Sequence, residues 1–310
     1  MKTIQEILKN FLNEPHFNET YKKTVSHILN HPAVQEFVHL HNESVSQEMI
    51  QNSLSKLNEF VLEYDAYQAG KPGKNPGYTP ILFINQNYID IAYQPTPEFL
   101  RMQEERKMRS YIDNRMMSRD VRDAKIDDVN LDSASRKQLM SEVVSFVRQY
   151  KENPYQAQGL YIAGPFGIGK TFILGALGNE LARLGIKVMM LHYPTFATEI
   201  KEAITSNQVQ SIIDDVKKPQ ILMLDDIGAE SNSVWLRDDV LSVILEYRMK
   251  EKLPTFFTSN FSMDELVYHL QETRDATENI KAARIMERVK FLSHEVRLDG
   301  ENLRQKERGQ

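Results

Sequence analysis

The chain of 310 residues contains no cysteine. That excludes disulfides and thiolate metal sites, although it does not fix a compartment. No apolar run approaches the roughly 18 residues that a membrane span needs. The start, Met1-Lys2-Thr3-Ile4-Gln5-Glu6, lacks the apolar core of a secretion signal. A cytoplasmic location is therefore expected by default, with no membrane association. A strong basic excess is also missing. Net charge is −5, which does not mark a chain dominated by nucleic-acid contacts. Residues 1–100 contain no arginine at all; they carry 7 lysines against 11 acids, net −4. Residues 101–125 are the exception, at net +3, and they separate two acidic blocks.

What is present is a phosphate-binding loop. Gly164-Pro165-Phe166-Gly167-Ile168-Gly169-Lys170-Thr171 matches G-x-x-x-x-G-K-[ST]. Glycines let backbone N–H groups close around phosphate oxygens with no Cβ in the way. Lys170 is placed to reach the β- and γ-phosphates, and the Thr171 hydroxyl to bind Mg²⁺. The apolar run Leu160–Ala163 precedes the loop as a strand, and Phe172–Leu184 follows with helical spacing. That helix offers its positive end to the anion.

The rest of the chain falls into place around this loop. Residues 1–64 are expected to be helical, from apolar spacing at Ile4, Ile7, Leu8, Phe11 and Leu12 and again at Leu54, Leu57, Phe60, Val61 and Tyr64. His27 and His31 have an i, i+4 spacing but no evident third ligand, so surface histidines are expected. Residues 65–80 read as an irregular Gly/Pro loop. Ile81–Ile84 and Tyr88–Tyr93 flank Asn85-Gln86-Asn87 as a β-hairpin. Residues 101–129 read as a charged linker. Its arginines either touch nucleic acid or sit on a solvated connecting helix. The expected domains are 1–100, the linker 101–129, and 130–310.

From residue 130 onward, a helix over 135–151 and strands at Leu160–Ala163, Lys187–His192, Ile221–Leu224, Thr255–Thr258 and His294–Leu298 alternate with helical stretches. The pattern predicts an α/β domain with a five-stranded parallel sheet covered on both faces. The strand Ile221–Leu224 ends in Asp225-Asp226. Carboxylates at that place, after a phosphate loop, form the second element of an NTPase. Asp225 is expected to hold Mg²⁺, directly or through water, and Asp226 to orient or deprotonate the attacking water. The strand Thr255–Thr258 ends in Ser259-Asn260, where a polar side chain can sit between the second acid and the γ-phosphate. Arg284, Arg288 and Arg304 are either phosphate-stabilising arginines, in cis or from a neighbouring subunit, or helix-surface residues.

These motifs coincide with a known family. The phosphate loop, Leu222-Met223-Leu224-Asp225-Asp226-Ile227-Gly228-Ala229-Glu230, Phe257-Thr258-Ser259-Asn260-Phe261, Ala282-Ala283-Arg284-Ile285-Met286-Glu287-Arg288 and Arg297-Leu298-Asp299-Gly300-Glu301-Asn302 together resemble the DnaC/DnaI family of AAA+ helicase loaders. The resemblance is strong over 130–310 and lies mainly in layout before that. It implies Walker A at Gly164–Thr171, Walker B at Asp225 and Asp226, and sensor 1 at Asn260. It implies an arginine finger at Arg288 acting on a neighbour's ATP, and a sensor 2 arginine at Arg304. The implied cofactors are ATP and Mg²⁺. The implied partners are a hexameric replicative DNA helicase, gripped by the N-terminal domain, and single-stranded DNA, bound by the AAA+ domain. Subunits are expected to assemble into a ring or spiral on the helicase.

The family can carry a zinc site of Cys and His in its N-terminal domain. This sequence has no Cys and no His between His41 and His192, so zinc is not expected. The loop 65–80 is then expected to be held by packing alone or to be mobile. For DNA, Tyr193, Phe196 and Lys201 offer stacking and a charge, or else a core aromatic pair and a surface lysine. The alternative function is an IstB-type transposition ATPase acting with a transposase. The acidic, arginine-free N-terminal module suits a protein partner better than duplex DNA. A metabolic kinase lacks any recognisable acceptor site.

Overall fold

The computed structural model describes residues 19–114, 116–272 and 278–303. The expected helix around Ile4–Leu12 and the expected sensor arginine Arg304 lie outside the described residues. The chain divides into two units, Met1–Glu105 and Arg106–Gln310.

Among the described residues, the first unit has four helices and a hairpin before the helix that begins at Pro97. Helices α1 (Glu19–Asn30), α2 (Pro32–Leu40), α3 (Gln47–Asn52) and α4 (Leu54–Gln68) each turn a narrow apolar stripe inward. Pro32 opens α2, where its missing N–H costs nothing. Ser46 caps α3 by accepting from the Met49 N–H at 3.1 Å. Leu29, Val34, Leu57 and Val61 form the centre of the core. Strands β1 (Tyr78–Asn85) and β2 (Tyr88–Pro95) pair antiparallel, in register from Tyr78 opposite Pro95 to Asn85 opposite Tyr88. One hairpin face packs on the helices through Ile89, whose N–H donates to the buried Ser53 hydroxyl at 2.7 Å. The other face leaves Ile81, Phe83 and Tyr88 exposed.

Two expectations for this unit are corrected. His31 is not a surface residue; it is buried, with Nε2 3.1 Å from the Asp65 carboxylate and its ring edge-on to Tyr64. The Gly/Pro loop is not held by packing alone. The Lys74 N–H donates to Glu63 at 2.8 Å and the Lys74 ammonium to Glu59 at 2.7 Å, so two α4 carboxylates hold the loop.

Helix α5 (Pro97–Tyr111) buries none of its residues, as a solvated connecting helix should. The segment after it, read from sequence as the rest of the linker, behaves differently. It forms β3 (Ile112–Asp113), the short helix α6 (Arg119–Arg122) and a 3₁₀ turn at Ile126–Asp128. Met117, Val121 and Ala124 are buried in the second unit's core.

The second unit continues with α7 (Ala134–Glu152), β4 (Gly159–Ala163), α8 (Lys170–Arg183), β5 (Val188–His192), α9 (Tyr193–Glu202) and α10 (Val209–Lys217). Then come β6 (Ile221–Asp225), a π-helical turn (Leu236–Leu241), α11 (Ser242–Lys250), β7 (Thr255–Ser259), α12 (Met263–Gln271), α13 (Asn279–Leu292) and β8 (Ser293–Arg297). The sheet is parallel with six strands in the order β3-β5-β6-β7-β4-β8. This is one strand more than the five expected. The extra strand is β3, two residues too short to leave a periodic signal.

Residues of the central strands are buried on both sides because helices cover both faces. In β6, Ile221 and Met223 enter the core shared with α7 and α8. Leu222 and Leu224 enter the core shared with α9 to α13. Arg248, at the end of α11, is fully buried under the N-terminal ends of the central strands. It donates to the carbonyls of Lys217 (3.0 Å), Pro219 (2.8 Å) and Pro254 (2.7 Å) and to the Thr255 hydroxyl (2.8 Å). Those bonds satisfy a buried guanidinium and tie β6 to β7 at the end opposite the site.

Candidate functional site

The C-terminal ends of β4, β6 and β7 bring the phosphate loop, Asp225-Asp226 and Asn260 together at one edge of the sheet. A ligand site is expected there in a parallel α/β sheet. The loop depends on its glycines at two places. A Cβ on Gly164 would lie 2.1 Å from the Leu298 carbonyl oxygen. Gly167 sits at φ +76°, and a Cβ there would lie 2.1 Å from the Asn302 side chain. The loop is also supported from outside. The buried Arg136 donates to the Ile168 carbonyl at 2.6 Å, and the Leu303 N–H donates to the Gly167 carbonyl at 2.9 Å.

Lys170 is buried at the start of α8. Its ammonium donates to the Gly164 and Pro165 carbonyls at 2.7 and 2.8 Å and to Asn260 Oδ1 at 2.8 Å. The Asn260 amide nitrogen then donates to Asp226 Oδ1 at 2.8 Å. Asn260 thus bridges the lysine and the second acid. Asp226 itself adopts φ +60°, a left-handed conformation that a non-glycine residue holds only when its surroundings fix it. Here its N–H donates to the Thr258 hydroxyl at 2.9 Å, and the Ile227 N–H to the Thr258 carbonyl at 2.9 Å.

Asp225 is buried and accepts from the Thr171 hydroxyl at 2.9 and 3.1 Å and from the Thr258 hydroxyl at 2.6 Å. Burial pushes its carboxyl above the ordinary range, and the two hydroxyls oppose that shift. Thr171 and Asp225 form a pair of hard oxygen donors beside the phosphate loop. That set fits Mg²⁺, which takes one or two protein oxygens and completes its shell with phosphate and water.

The loop opens into a cleft of about 510 Å³. One wall is the loop with Asp225, Asp226, Thr258 and Asn260. The lining also includes Met116, Met117 and Ser118, from the segment between β3 and α6, and Val121 of α6. His192, at the end of β5, also lines the cleft. Apolar side chains in a cleft with a phosphate loop suit a base and sugar.

Arg288 is not brought to this cleft. Its guanidinium donates to the Ser242 carbonyl at 2.9 Å, to the Ser242 hydroxyl, and to Glu246 at 3.1 Å. Arg284, one turn earlier, is exposed. The stacking alternative fails for the α9 aromatics: Tyr193 and Phe196 are buried in the core, and Lys201 faces the Ser231 carbonyl at 3.4 Å. Sequence reasoning gave no role to Thr258, Arg136, Asn302, His192 or the Met116–Val121 wall. The one signal for Thr258 is its hydroxyl at the end of Thr255-Phe256-Phe257-Thr258, directly before Ser259-Asn260. The others are assembled only by the fold.

Comparison with known proteins gives the lineage. Residues 1–93 match the family model of the primosomal protein DnaI N-terminus. Over 310 residues the chain is 35% identical to the replicative helicase loader DnaI of Bacillus subtilis (strain 168), covering 98% of this chain and 99% of that one. The chain belongs to the DnaI family. Its residues 94–310 also match the model of IstB-like ATP-binding proteins. A crystal structure of DnaI aligns with a TM-score of 0.56 at 40% identity, over 61% of this chain and 98% of that one. A primosome component from Streptococcus pyogenes serotype M3 aligns at 0.52 and 37%, over 63% and 97%. The DnaI relationship runs the length of the chain. The match to an insertion-sequence ATP-binding protein of Pseudomonas fluorescens, 30% identical, covers 29% of this chain and 38% of that one. The chain accordingly joins a DnaI-type N-terminal region to an IstB-like ATP-binding domain.

Proposed function

We propose that this chain is an ATP-driven loader of the replicative DNA helicase. One observation carries the reading: a DnaI-type N-terminal region and an intact phosphate loop with its two acids stand in a single chain related to DnaI over its whole length. The first unit docks on the helicase hexamer. Its exposed Ile81, Phe83 and Tyr88 and the acidic, arginine-free composition of residues 1–100 suit a protein surface. The second unit binds ATP and places the helicase on single-stranded DNA. Subunits assemble in a ring or spiral on the hexamer, in the cytoplasm.

The residues divide the work as follows. Loop N–H groups and the Lys170 ammonium hold the β- and γ-phosphates. Thr171 and Asp225 hold Mg²⁺, which supplies charge neutralisation on the phosphate oxygens. Asp226 accepts a proton from the attacking water, while Asn260 fixes one of its oxygens and keeps the carboxylate aligned with Lys170. Arg288 reaches a neighbour's ATP once it leaves Ser242 and Glu246. Arg304 contacts phosphate in its own subunit.

The test is gel filtration of the purified chain with the replicative helicase of the same organism, and separately with a transposase of the IstB-partnered type. Co-elution with the helicase is expected. Co-elution with the transposase alone would transfer the assignment to the transposition ATPases.

A further inference from the structure

His192 lies in the nucleotide cleft, and none of the roles above uses it. It is the last residue of β5 and pairs in register with Asp225 of the neighbouring strand. It shares the cleft wall with Thr171, Asp225, Asp226 and Asn260. Its ring is anchored on one side only. Nδ1 is 2.8 Å from the Thr195 hydroxyl, one turn into α9. Among the described residues, no hydrogen bond engages Nε2. The ring is half-buried.

Among the described residues, no hydrogen bond joins this ring to Asp225. Its oxygens already accept from Thr171 and Thr258. With the Thr195 hydroxyl donating to Nδ1, the neutral imidazole carries its proton on Nε2, which is then a directed donor. A nucleotide held by the phosphate loop would turn its terminal phosphate toward Thr171, Asp225, Asp226 and Asn260, the residues with which His192 shares the cleft lining. We infer that His192 is a terminal-phosphate contact that distinguishes ATP from ADP through Nε2. The inference rests on the nucleotide reading of the cleft. It adds that discrimination between the two nucleotides is made partly from β5, outside the phosphate loop and both acids. His192 is also the residue that caps α9 at its N-terminus, so a contact made there is made at the head of that helix.

The test measures ATP and ADP affinities by titration calorimetry for the full chain and for His192→Ala, His192→Gln, Thr195→Val and Lys170→Ala. For His192→Ala, ATP affinity should fall about tenfold, the size of one lost hydrogen bond to a charged group. ADP affinity should stay within about twofold, because ADP lacks the contacted group. His192→Gln, which keeps a donor near the same reach, should recover part of the loss. Thr195→Val, which frees the ring, should show a smaller loss in the same direction. A general folding defect would lower both affinities and the melting temperature together, and rescue by His192→Gln distinguishes that case. If Lys170→Ala binds both nucleotides like the native chain, the nucleotide reading itself is wrong. If Lys170→Ala loses binding but His192→Ala keeps the native ATP-to-ADP ratio, the nucleotide reading survives and the His192 assignment is overturned.

Discussion

Asn260 Oδ1 accepts from the Lys170 ammonium at 2.8 Å, joining residues 90 positions apart in sequence. The same amide donates to Asp226, so the cation that meets phosphate and the acid assigned to water share one linker. Separating the two functions by mutation tests this arrangement. Lys170→Ala should weaken ATP binding by about 1.5–3 kcal/mol, a lost charge-assisted contact. Asn260→Ala should leave ATP affinity within a few-fold of native yet slow hydrolysis at saturating ATP by about tenfold or more. Calorimetry and a phosphate-release assay measure the two effects. An Asn260→Ala protein that hydrolyses ATP at the native rate would remove Asn260 from the water-positioning role.

Arg248 offers a test of the fold that leaves the site aside. Its guanidinium serves three carbonyls and a hydroxyl beneath the central strands. Arg248→Met keeps much of the volume but strands those acceptors, each at about 1–3 kcal/mol. Urea denaturation should show a loss of about 3 kcal/mol or more. A loss under 1 kcal/mol would mean that water replaces the guanidinium at little cost.

The segment between α5 and α7 sets where the ATP-binding unit begins. A fragment starting at Arg106 retains β3, Met117 and Val121, and one starting at Asn130 discards them. Met117 and Val121 are buried, so their removal should cost on the order of 3–6 kcal/mol of burial. The shorter fragment also loses the Met116–Ser118 wall of the cleft. It should melt lower and bind ATP more weakly than the longer one. Equal melting temperatures would show that this segment is dispensable.

Much of this architecture was legible in the sequence, for physical reasons that differ by element. The phosphate loop and Asp225-Asp226 could be read because their chemistry demands adjacent residues. The strands β4, β6 and β7 could be read because burial on both faces produces short apolar runs, whereas the edge strand β8 buries only Ser293 and Val296. The hairpin showed its turn, with Gln86 at φ +53° between two alternating strands. Strand β3 could not be read, since two residues carry no period. The buried state of His31 could not be read either, because its partner Asp65 lies 34 positions away. Val121 looked like part of a charged linker because five of its near neighbours, Arg115, Arg119, Asp120, Arg122 and Asp123, are charged. Val121 docks on α8 together with the buried Met117 and Ala124, and Asn179 of α8 donates to the Arg122 and Ala124 carbonyls.

Arg288 is held by Ser242 and Glu246 within its own chain. Action on a neighbour's ATP therefore requires that both the Ser242 hydrogen bonds and the Glu246 ion pair be given up. Mixing Arg288→Ala with Lys170→Ala protein, in the presence of helicase and single-stranded DNA, should partly restore ATP turnover. An intact Arg288 on the Lys170→Ala subunit then serves ATP held by the other. Light scattering confirms that mixed assemblies have formed. No rescue at any ratio in such assemblies would leave Arg288 with a structural role, tying α13 to α11.

The central claim is ATP-driven loading, and the most direct measurement places helicase on a closed circle of single-stranded DNA. A closed circle cannot be threaded from an end, so retention after a high-salt wash reports opening and closing of the hexamer around the strand. The account predicts that helicase retention rises with the native chain and ATP and falls back toward the helicase-alone level with Lys170→Ala. Retention that is no higher with the native chain and ATP than with helicase alone would contradict it.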